Sequence, residues 1–379
     1  ISDGGTMQIF RTEGDYRAQV QSGEYVRDLQ VGRRTVNGWL YTNFETGSFT
    51  SAGAAPWANR VSQVQTVEFL DYAMPQSTAY WFAGMENLLS IKMGDYLQAQ
   101  GVQSMQGMFA GCVKLPTVSM PIANLGSLES LGSDGLLNMF NGCRAMTSLD
   151  ISGWDLARVN TLSGFAAGCI NLETVNMNNW TVPAITAAAG AFGDCTKLKN
   201  FDMSNLDAPN MTSVARLLAA NTGLESVNLS NWNVPALTNI SNLLKGAAVL
   251  KSVDLSGLYA PKLTNMASML EGCAALESFD ASDFTTGSVT NMSNLFAGCS
   301  TLTELNLSNF NTSRVTDMSG MFSGCTSLAT LDISSFNTKT YTSVMVDMFG
   351  ECTSLSTIKL GPDFTFNGTG IRDPKDWAV

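Results

Sequence analysis

The chain has 379 residues, 45% of them hydrophobic and only 14% charged, with a net charge of −11 at pH 7 and a pI of about 4.5. An acidic surface with few cations argues against nucleic-acid partners, which are bound through clusters of lysine and arginine, and against adsorption to anionic membranes. The sequence has no histidine, so it lacks the side chain that most often serves as a general base or a metal ligand.

Residues 1–60 do not follow the repeat that fills the rest of the chain. Two segments of this region, TMQIF at 6–10 and TVNGWLYT at 35–42, have the composition of strands. We therefore predict an N-terminal β-rich cap over 1–60, because the first turn of a repeat stack needs cover for its open edge. The first residue is Ile1 and not Met, so we expect a mature or trimmed chain, which is consistent with the removal of a signal peptide or a lipid anchor.

Residues 61–360 follow a 26-residue repeat, which is clearest in two consecutive copies. These copies read NMSNLFAGCSTLTELNLSNFNTSRVT at 291–316 and DMSGMFSGCTSLATLDISSFNTKTYT at 317–342. Self-similarity at such a period indicates a stack of about eleven turns that share one core. A cysteine recurs once in most copies, and Met85, Asn221 and Ala247 take its place in the others. The cysteines are Cys112, Cys143, Cys169, Cys195, Cys273, Cys299, Cys325 and Cys352.

Each copy divides into a strand and a predicted helix. Apolar residues alternate with polar ones after the cysteine, as at Leu305 and Leu307, which predicts a strand with one buried face. The run VTDMSGMF at 315–322 has helical spacing, with Thr316 as the expected N-cap and Gly324 as the stop. The sequence thus predicts an α/β leucine-rich repeat solenoid, with one parallel β-sheet and short helices on the opposite side.

The end of the chain departs from the repeat again. Residues 361–379 carry the apolar side chains Phe364, Phe366, Ile371 and Trp377, and we predict that they form a C-terminal cap. No stretch of the chain approaches the run of about 18 apolar residues that a membrane span needs, so no transmembrane segment is predicted.

The repeats resemble the BspA-like family of bacterial surface leucine-rich repeat proteins. The resemblance covers about 75–379 and is carried by LFAGCSTLTELNLSNFNTSRVTDMSGMFSGCTSLATLDISSFNT at 295–338, with Pro56–Trp57 and AYWFAGMENLLSI at 79–91 similar to the family's entry region. Repeats at 196–265 depart from the pattern by losing the cysteine and the phenylalanine. The resemblance implies a secreted or surface-anchored bacterial protein with an adhesin-like role, and it implies no catalytic residues.

The eight cysteines have three interpretations. Disulfides are usual in secreted chains, but a cysteine at one fixed place in every turn predicts a buried column. We therefore favour free thiols that pack as small apolar groups. A zinc site lacks support, because the chain has neither histidine nor a CxxC motif.

A recurring aromatic residue stands eleven positions after the cysteine. It forms either an exposed stripe for binding sugars or proteins, or a corner residue packed under the next turn. We favour packing, because Leu206 and Leu258 replace the aromatic residue in two copies. The possible stripe consists of Trp154, Trp180, Trp232, Phe284, Phe310 and Phe336.

A column of acceptors stands seven positions after the cysteine and faces outward. It is either a ligand-binding face or a solvated face that resists aggregation, and a weak calcium site is a third, less favoured interpretation. We predict no cofactor and no bound metal. The column consists of Asp150, Asn176, Asp202, Asn228, Asp254, Asp280, Asn306 and Asp332.

The sequence favours a non-catalytic, adhesin-like binding protein, extracellular or on the cell surface. Its expected partner is a host matrix protein, a neighbouring cell surface or a glycan, and the chain is expected to be monomeric. A passive spacer or stalk is the alternative. A carbohydrate-active enzyme with paired carboxylates is less favoured, since the one sizeable irregularity, at 121–135, offers only Glu129 and Asp134.

Overall fold

The computed structural model describes residues 1–2, 4–9, 24–31, 34–40, 49–70, 72–98, 102–118, 135–154, 156–177, 180, 182–339 and 344–365. The chain divides into two compact units, Ile1–Trp180 (unit 1) and Thr181–Val379 (unit 2). Both units contain parallel β-solenoid turns, about ten in all. Glu129 and Asp134 lie outside the described residues, as do residues 366–379 of the predicted C-terminal cap.

The strands of unit 1 form one antiparallel pair and two parallel sheets in the described residues. Its strands are β1 (Thr6–Ile9), β2 (Glu24–Val31), β3 (Arg34–Leu40), β4 (Thr66–Phe69), β5 (Ser90–Lys92), β6 (Ser148–Asp150) and β7 (Thr174–Asn176), and two short 3-10 helices span Ala52–Ala54 and Ala58–Gln63. Strands β2 and β3 form an antiparallel pair, whereas β1, β4 and β5 form a parallel sheet, as do β6 and β7. Since β1 pairs with β4, the first strand of the chain is part of the stacked sheet.

Unit 2 contains two parallel sheets in strict register. Its strands are β8 (Asn200–Asp202), β9 (Ser226–Asn228), β10 (Ser252–Asp254), β11 (Glu304–Asn306), β12 (Thr330–Ile333) and β13 (Thr357–Leu360). Phe201 pairs with Val227 and Val227 with Val253, each one repeat further along the chain. The predicted parallel sheet of 26-residue turns is confirmed.

The core of unit 2 consists of columns of apolar side chains. The leucine three positions after the cysteine is fully buried in six successive turns, at Leu198, Leu224, Leu250, Leu276, Leu302 and Leu328. Phenylalanines before the cysteine also stack: the rings of Phe296 and Phe322 lie 6.0 Å apart at an interplanar angle of 4°. Each turn therefore buries much of its apolar surface against its neighbours.

The predicted short helices are not confirmed, since no α-helix occurs in the part of the chain that the structure describes. The segment before each cysteine consists of two consecutive β-turns. In one copy the Leu295 amide bonds the Met292 carbonyl and the Cys299 amide bonds the Phe296 carbonyl, while Asn294 has positive φ. A residue of positive φ every fourth position breaks an α-helix but suits the third position of a type II turn.

Alternate amides of this segment bond the next turn of the solenoid. Phe296 donates to the Met321 carbonyl at 2.9 Å, and Gly298 donates to the Ser323 carbonyl at 2.6 Å. These bonds replace the i→i−4 bonds of a helix, so the segment is a second backbone ladder. The hydroxyl of Thr316, the expected N-cap, instead donates to the Thr290 carbonyl at 3.1 Å.

Candidate binding surface

The outward acceptor column lies where each strand ends. We define the acceptor strip as the six members in unit 2, which are Asp202, Asn228, Asp254, Asp280, Asn306 and Asp332. Asp202 pairs in register with Asn228 and Asn228 with Asp254, and neighbouring strands of a sheet lie about 4.8 Å apart. In unit 1, Asp150 and Asn176 hold the same places on β6 and β7.

Every member of the acceptor strip closes a tight turn with its own side chain. The Oδ1 atom accepts the backbone amide of the residue two positions later, as between Asp254 and Ser256 at 2.9 Å and between Asn306 and Ser308 at 3.0 Å. The same bond occurs at the other four positions of the strip and at Asp150. Asp and Asn are favoured for this Asx turn because the short side chain reaches back to the backbone.

Hydrogen bonds in these turns lower the pKa of Asp150, Asp202, Asp280 and Asp332. Hydrogen bonds from the Ser204 amide and hydroxyl lower the pKa of Asp202, and the same bonds from Ser282 lower the pKa of Asp280. For Asp332, partial desolvation raises the pKa, but hydrogen bonds from Ser334 and Lys359 outweigh it, so that its pKa is lowered as well. In unit 1 the Ser152 hydroxyl and amide likewise lower the pKa of Asp150. The carboxylates therefore carry full negative charge at neutral pH.

The second carboxylate oxygen distinguishes members of the strip. Asp202 Oδ2 accepts the Asn228 side-chain amide at 3.2 Å, and Asp332 Oδ2 pairs with Lys359 Nζ at 2.9 Å. Among the described residues no partner contacts the Oδ2 atoms of Asp254 and Asp280, and both side chains are exposed. The middle of the strip therefore presents two solvent-facing carboxylate oxygens on adjacent turns.

The aromatic column faces the core. Trp154, Trp232, Phe284, Phe310 and Phe336 are buried, and only Trp180 is half-buried. The indole of Trp232 donates to the Met203 carbonyl at 2.6 Å, and that of Trp180 donates to the Ile151 carbonyl at 3.1 Å. These residues therefore tie a turn to the preceding one, which favours the packing interpretation over an exposed stripe.

The cysteines are free and have a more specific role than apolar packing. Seven thiols donate to a carbonyl of the preceding turn, for example Cys325 to Phe296 at 3.1 Å. Where Asn221 replaces the cysteine, its side-chain amide donates in the same way to the Phe192 carbonyl at 3.0 Å. The column is thus a series of buried hydrogen-bond donors. Thiol donors of this kind are Cys112, Cys143, Cys169, Cys273, Cys299, Cys325 and Cys352.

Burial makes these thiols poor nucleophiles. Desolvation raises the pKa of Cys112, Cys169 and Cys273 to about 12, and the pKa of the less buried Cys352 to about 11. Since the thiolate is the reactive form, the column does not supply a reactive cysteine at neutral pH.

The described residues contain no group of three or more His, Cys, Asp or Glu side chains placed to hold a metal ion. They also contain no helix with the length and apolarity that a membrane span requires.

Sequence reasoning found the strip but missed its turns. The signal was present as Asp or Asn followed two positions later by Ser, as in DLS at 254–256 and NLS at 306–308. The same spacing recurs on the second ladder, where Asp317 Oδ1 accepts the Ser319 amide at 2.9 Å. Acceptor columns on both ladders are therefore explained first by local backbone geometry.

The chain belongs to the family described as Mycoplasma protein of unknown function, DUF285, which matches residues 134–257 and 264–360. No curated protein matches the sequence. The family description names no activity, so the fold and the surface carry the functional interpretation.

The solved structures similar to this chain include bacterial leucine-rich proteins. A leucine-rich repeat protein from Bacteroides ovatus is 16% identical over 79% of this chain, with a TM-score of 0.41, and the match spans 61% of that protein's length. A leucine-rich cell surface protein from Faecalibacterium prausnitzii is 14% identical over 78% of this chain and 79% of its own, with a TM-score of 0.34. An internalin from Listeria monocytogenes is 13% identical over 80% of this chain and 82% of its own, with a TM-score of 0.27.

Proposed function

We propose that this chain is a non-catalytic, adhesin-like binding protein of the bacterial cell surface, which takes its partner on the acceptor strip of unit 2. Its repeats resemble bacterial surface leucine-rich proteins, and the strip is an ordered row of anionic and polar groups, four of which are exposed. The partner is a protein on a host or neighbouring cell that presents lysine or arginine to these carboxylates, because electrostatic complementarity sets orientation and speeds encounter.

One observation carries the proposal: the turn does not require the negative charge. Asn228 and Asn306 make the same Oδ1 bond as the aspartates, at 3.1 and 3.0 Å. An asparagine at Asp254 or Asp280 would therefore make the same turn. The two unengaged Oδ2 atoms of these residues are the part of the strip that the backbone does not use.

The proposal is tested by immobilising the full chain and measuring binding of fibronectin, fibrinogen, collagen, laminin and a glycan panel by biolayer interferometry. The informative variant is Asp254→Asn with Asp280→Asn, which keeps both turns and removes two charges. An exposed charge pair contributes up to about 1 kcal/mol, so we expect affinity for the bound protein to fall about tenfold, with a smaller difference at high salt.

Asp317→Asn is the matched control, because Asp317 makes the same turn on the other ladder. It should leave the affinity unchanged. Equal affinity of one ligand for the unsubstituted chain, the double variant and the Asp317→Asn variant would refute the strip as the binding surface.

A passive spacer is the second candidate function. The regularity of the strip favours it, since the Oδ1 atom of each member is already used within the chain. A folded chain that binds none of the panel would favour this function over adhesion.

A further inference from the structure

An exposed cluster of large side chains lies on the first turns of unit 1, and it shares no residue with the acceptor strip. Tyr72 is 52% exposed, Met74 69% and Tyr96 40%. The two tyrosine rings lie 5.6 Å apart in an edge-to-face arrangement at 71°. Clustered apolar exposure of this kind marks interaction surfaces more often than scattered exposure does.

The cluster arises because the side chain that enters the core here lies one residue later than in the aromatic column of unit 2. Ala73 and Leu97 form a parallel bridge, in which Ala73 donates to the Tyr96 carbonyl and Gln98 donates to the Ala73 carbonyl, both at 2.8 Å. Leu97 is buried, with 2% exposure, so its neighbours Tyr96 and Gln98 face outward, as do Tyr72 and Met74 beside Ala73.

The aromatic column behaves differently in unit 2. Tyr96 stands eleven positions after Met85, which is the place that Trp232 holds in its own copy. Trp232 is 1% exposed and the next residue, Asn233, faces outward. The outward tyrosine is therefore a local departure from the packing that the repeat otherwise uses.

The charge beside the cluster is negative. Asp95 is exposed, and its carboxylate has no partner among the described residues, whereas Glu68 is neutralised by Lys92 at 2.7 Å. Gln98 is held in place by a bond from its side-chain amide to the Asp95 carbonyl at 2.6 Å. A cationic group approaching Tyr96 would thus come near an exposed carboxylate one residue away in the chain.

We propose that Tyr72, Met74, Asp95 and Tyr96 form a second docking surface, for a protein segment that presents an arginine beside an apolar side chain. A guanidinium stacks on aromatic faces and forks onto a carboxylate, and this chain already places Arg60 3.4 Å from the centre of the Trp39 ring. Tyrosine gives large contact area at low entropic cost, and the flexible thioether of methionine adapts to apolar side chains. That thioether offers little to sugar hydroxyls, which favours a protein over a glycan.

The test uses the full chain carrying [13C]methyl methionine, with Met74 assigned by Met74→Leu. The probe is the peptide acetyl-Gly-Leu-Arg-Leu-Gly-amide, and its counterpart carries citrulline, the neutral analogue of arginine. We expect a saturable shift of the Met74 methyl signal at millimolar peptide, with about fivefold weaker binding of the citrulline peptide. Tyr72→Ser with Tyr96→Ser should abolish the shift, and Asp95→Asn should weaken binding severalfold.

Tyr259→Ser is the matched control, because Tyr259 is 57% exposed and makes no ring contact with another aromatic residue among the described residues. Equal binding of the arginine and citrulline peptides, or binding that survives the double serine variant, would overturn the proposal. A Met74 shift with chitotriose but not with the arginine peptide would assign the surface to glycans and overturn it as well. None of these results depends on the acceptor strip.

Discussion

The cysteine column permits a test that separates hydrogen bonding from packing at one buried position. Cys325 is fully buried, and its thiol donates to the Phe296 carbonyl at 3.1 Å. That carbonyl also accepts the Cys299 amide at 3.0 Å, so it receives one donor from its own turn and one from the next. The variants Cys325→Ala and Cys325→Ser remove the sulfur equally but differ in the donor.

The structure fixes the sign of the difference between the two variants. Cys325→Ala loses the buried sulfur, at about 0.8 kcal/mol, and a hydrogen bond of about 0.5–1.5 kcal/mol. Its free energy of unfolding should therefore fall by about 2 kcal/mol. Cys325→Ser keeps a donor aimed at the Phe296 carbonyl, so we expect it to be about 1 kcal/mol more stable than the alanine variant. If the column served only for packing, the serine hydroxyl would be buried without use and the order would be reversed.

Urea unfolding of the full chain, followed by circular dichroism, measures the order directly. The slope of the transition should be the same in both variants, so that midpoints can be compared as stabilities. Ala191→Ser, at another fully buried position of unit 2, reports the cost of burying a hydroxyl in this core. A serine variant at 325 that is less stable than the alanine variant would refute the hydrogen-bond role.

Three further predictions follow from the same contacts. In the native chain at pH 8, thiol reagents should modify Cys352 first and the seven other cysteines only on unfolding, because Cys352 is half-buried and the others are buried. Mass spectrometry of the labelled peptides gives the order. Gly324→Ala should lower the free energy of unfolding by about 1–3 kcal/mol, measured by urea unfolding. The reason is that φ of Gly324 is +76° and the added methyl would lie 3.3 Å from the Gly298 backbone. The pKa values of Asp202 and Asp280 are lowered in the folded chain, so their ionised carboxylates stabilise the fold. This stabilisation is complete above the unfolded pKa of about 4 and is lost as the pH falls through the folded pKa. Thermal melts between neutral and acidic pH should therefore be less pH-dependent after substitution of both by asparagine.

Most of the fold follows from two periodicities in the sequence. The apolar alternation of each strand and its return after 26 residues leave one parallel arrangement that buries both Phe201 and Val227 on the same side. The helix prediction was wrong because two consecutive β-turns give apolar residues the same spacing as one helix does. The residues concerned include Val315, Met318, Met321 and Phe322. A pair of glycines four positions apart, as at Gly320 and Gly324, disfavours a helix and is the clue that separates the two structures.

The candidate surfaces were predictable to different degrees. The outward position of the acceptor strip follows from strand alternation, whereas its turns depend on which backbone amide each side chain reaches. The exposure of Tyr96 depends on a shift of one residue in which side chain enters the core. Leu97 and Tyr96 are both apolar enough to be buried, so the sequence alone favours neither.

In a solenoid, a residue that recurs in every turn has a structural explanation before it has a functional one. The thiols and the tryptophan indoles donate hydrogen bonds to carbonyls of the preceding turn. The Asp and Asn side chains accept a backbone amide at the end of each strand. Specific recognition instead needs groups that the stacking does not consume. The free carboxylate oxygens of Asp254 and Asp280 meet that condition because asparagine would complete their turns. The outward rings of Tyr72 and Tyr96 meet it because the buried Leu97 already fills the core beside them. Substitutions at these places should therefore change binding while leaving stability nearly unchanged, and substitutions in the recurring columns should do the opposite.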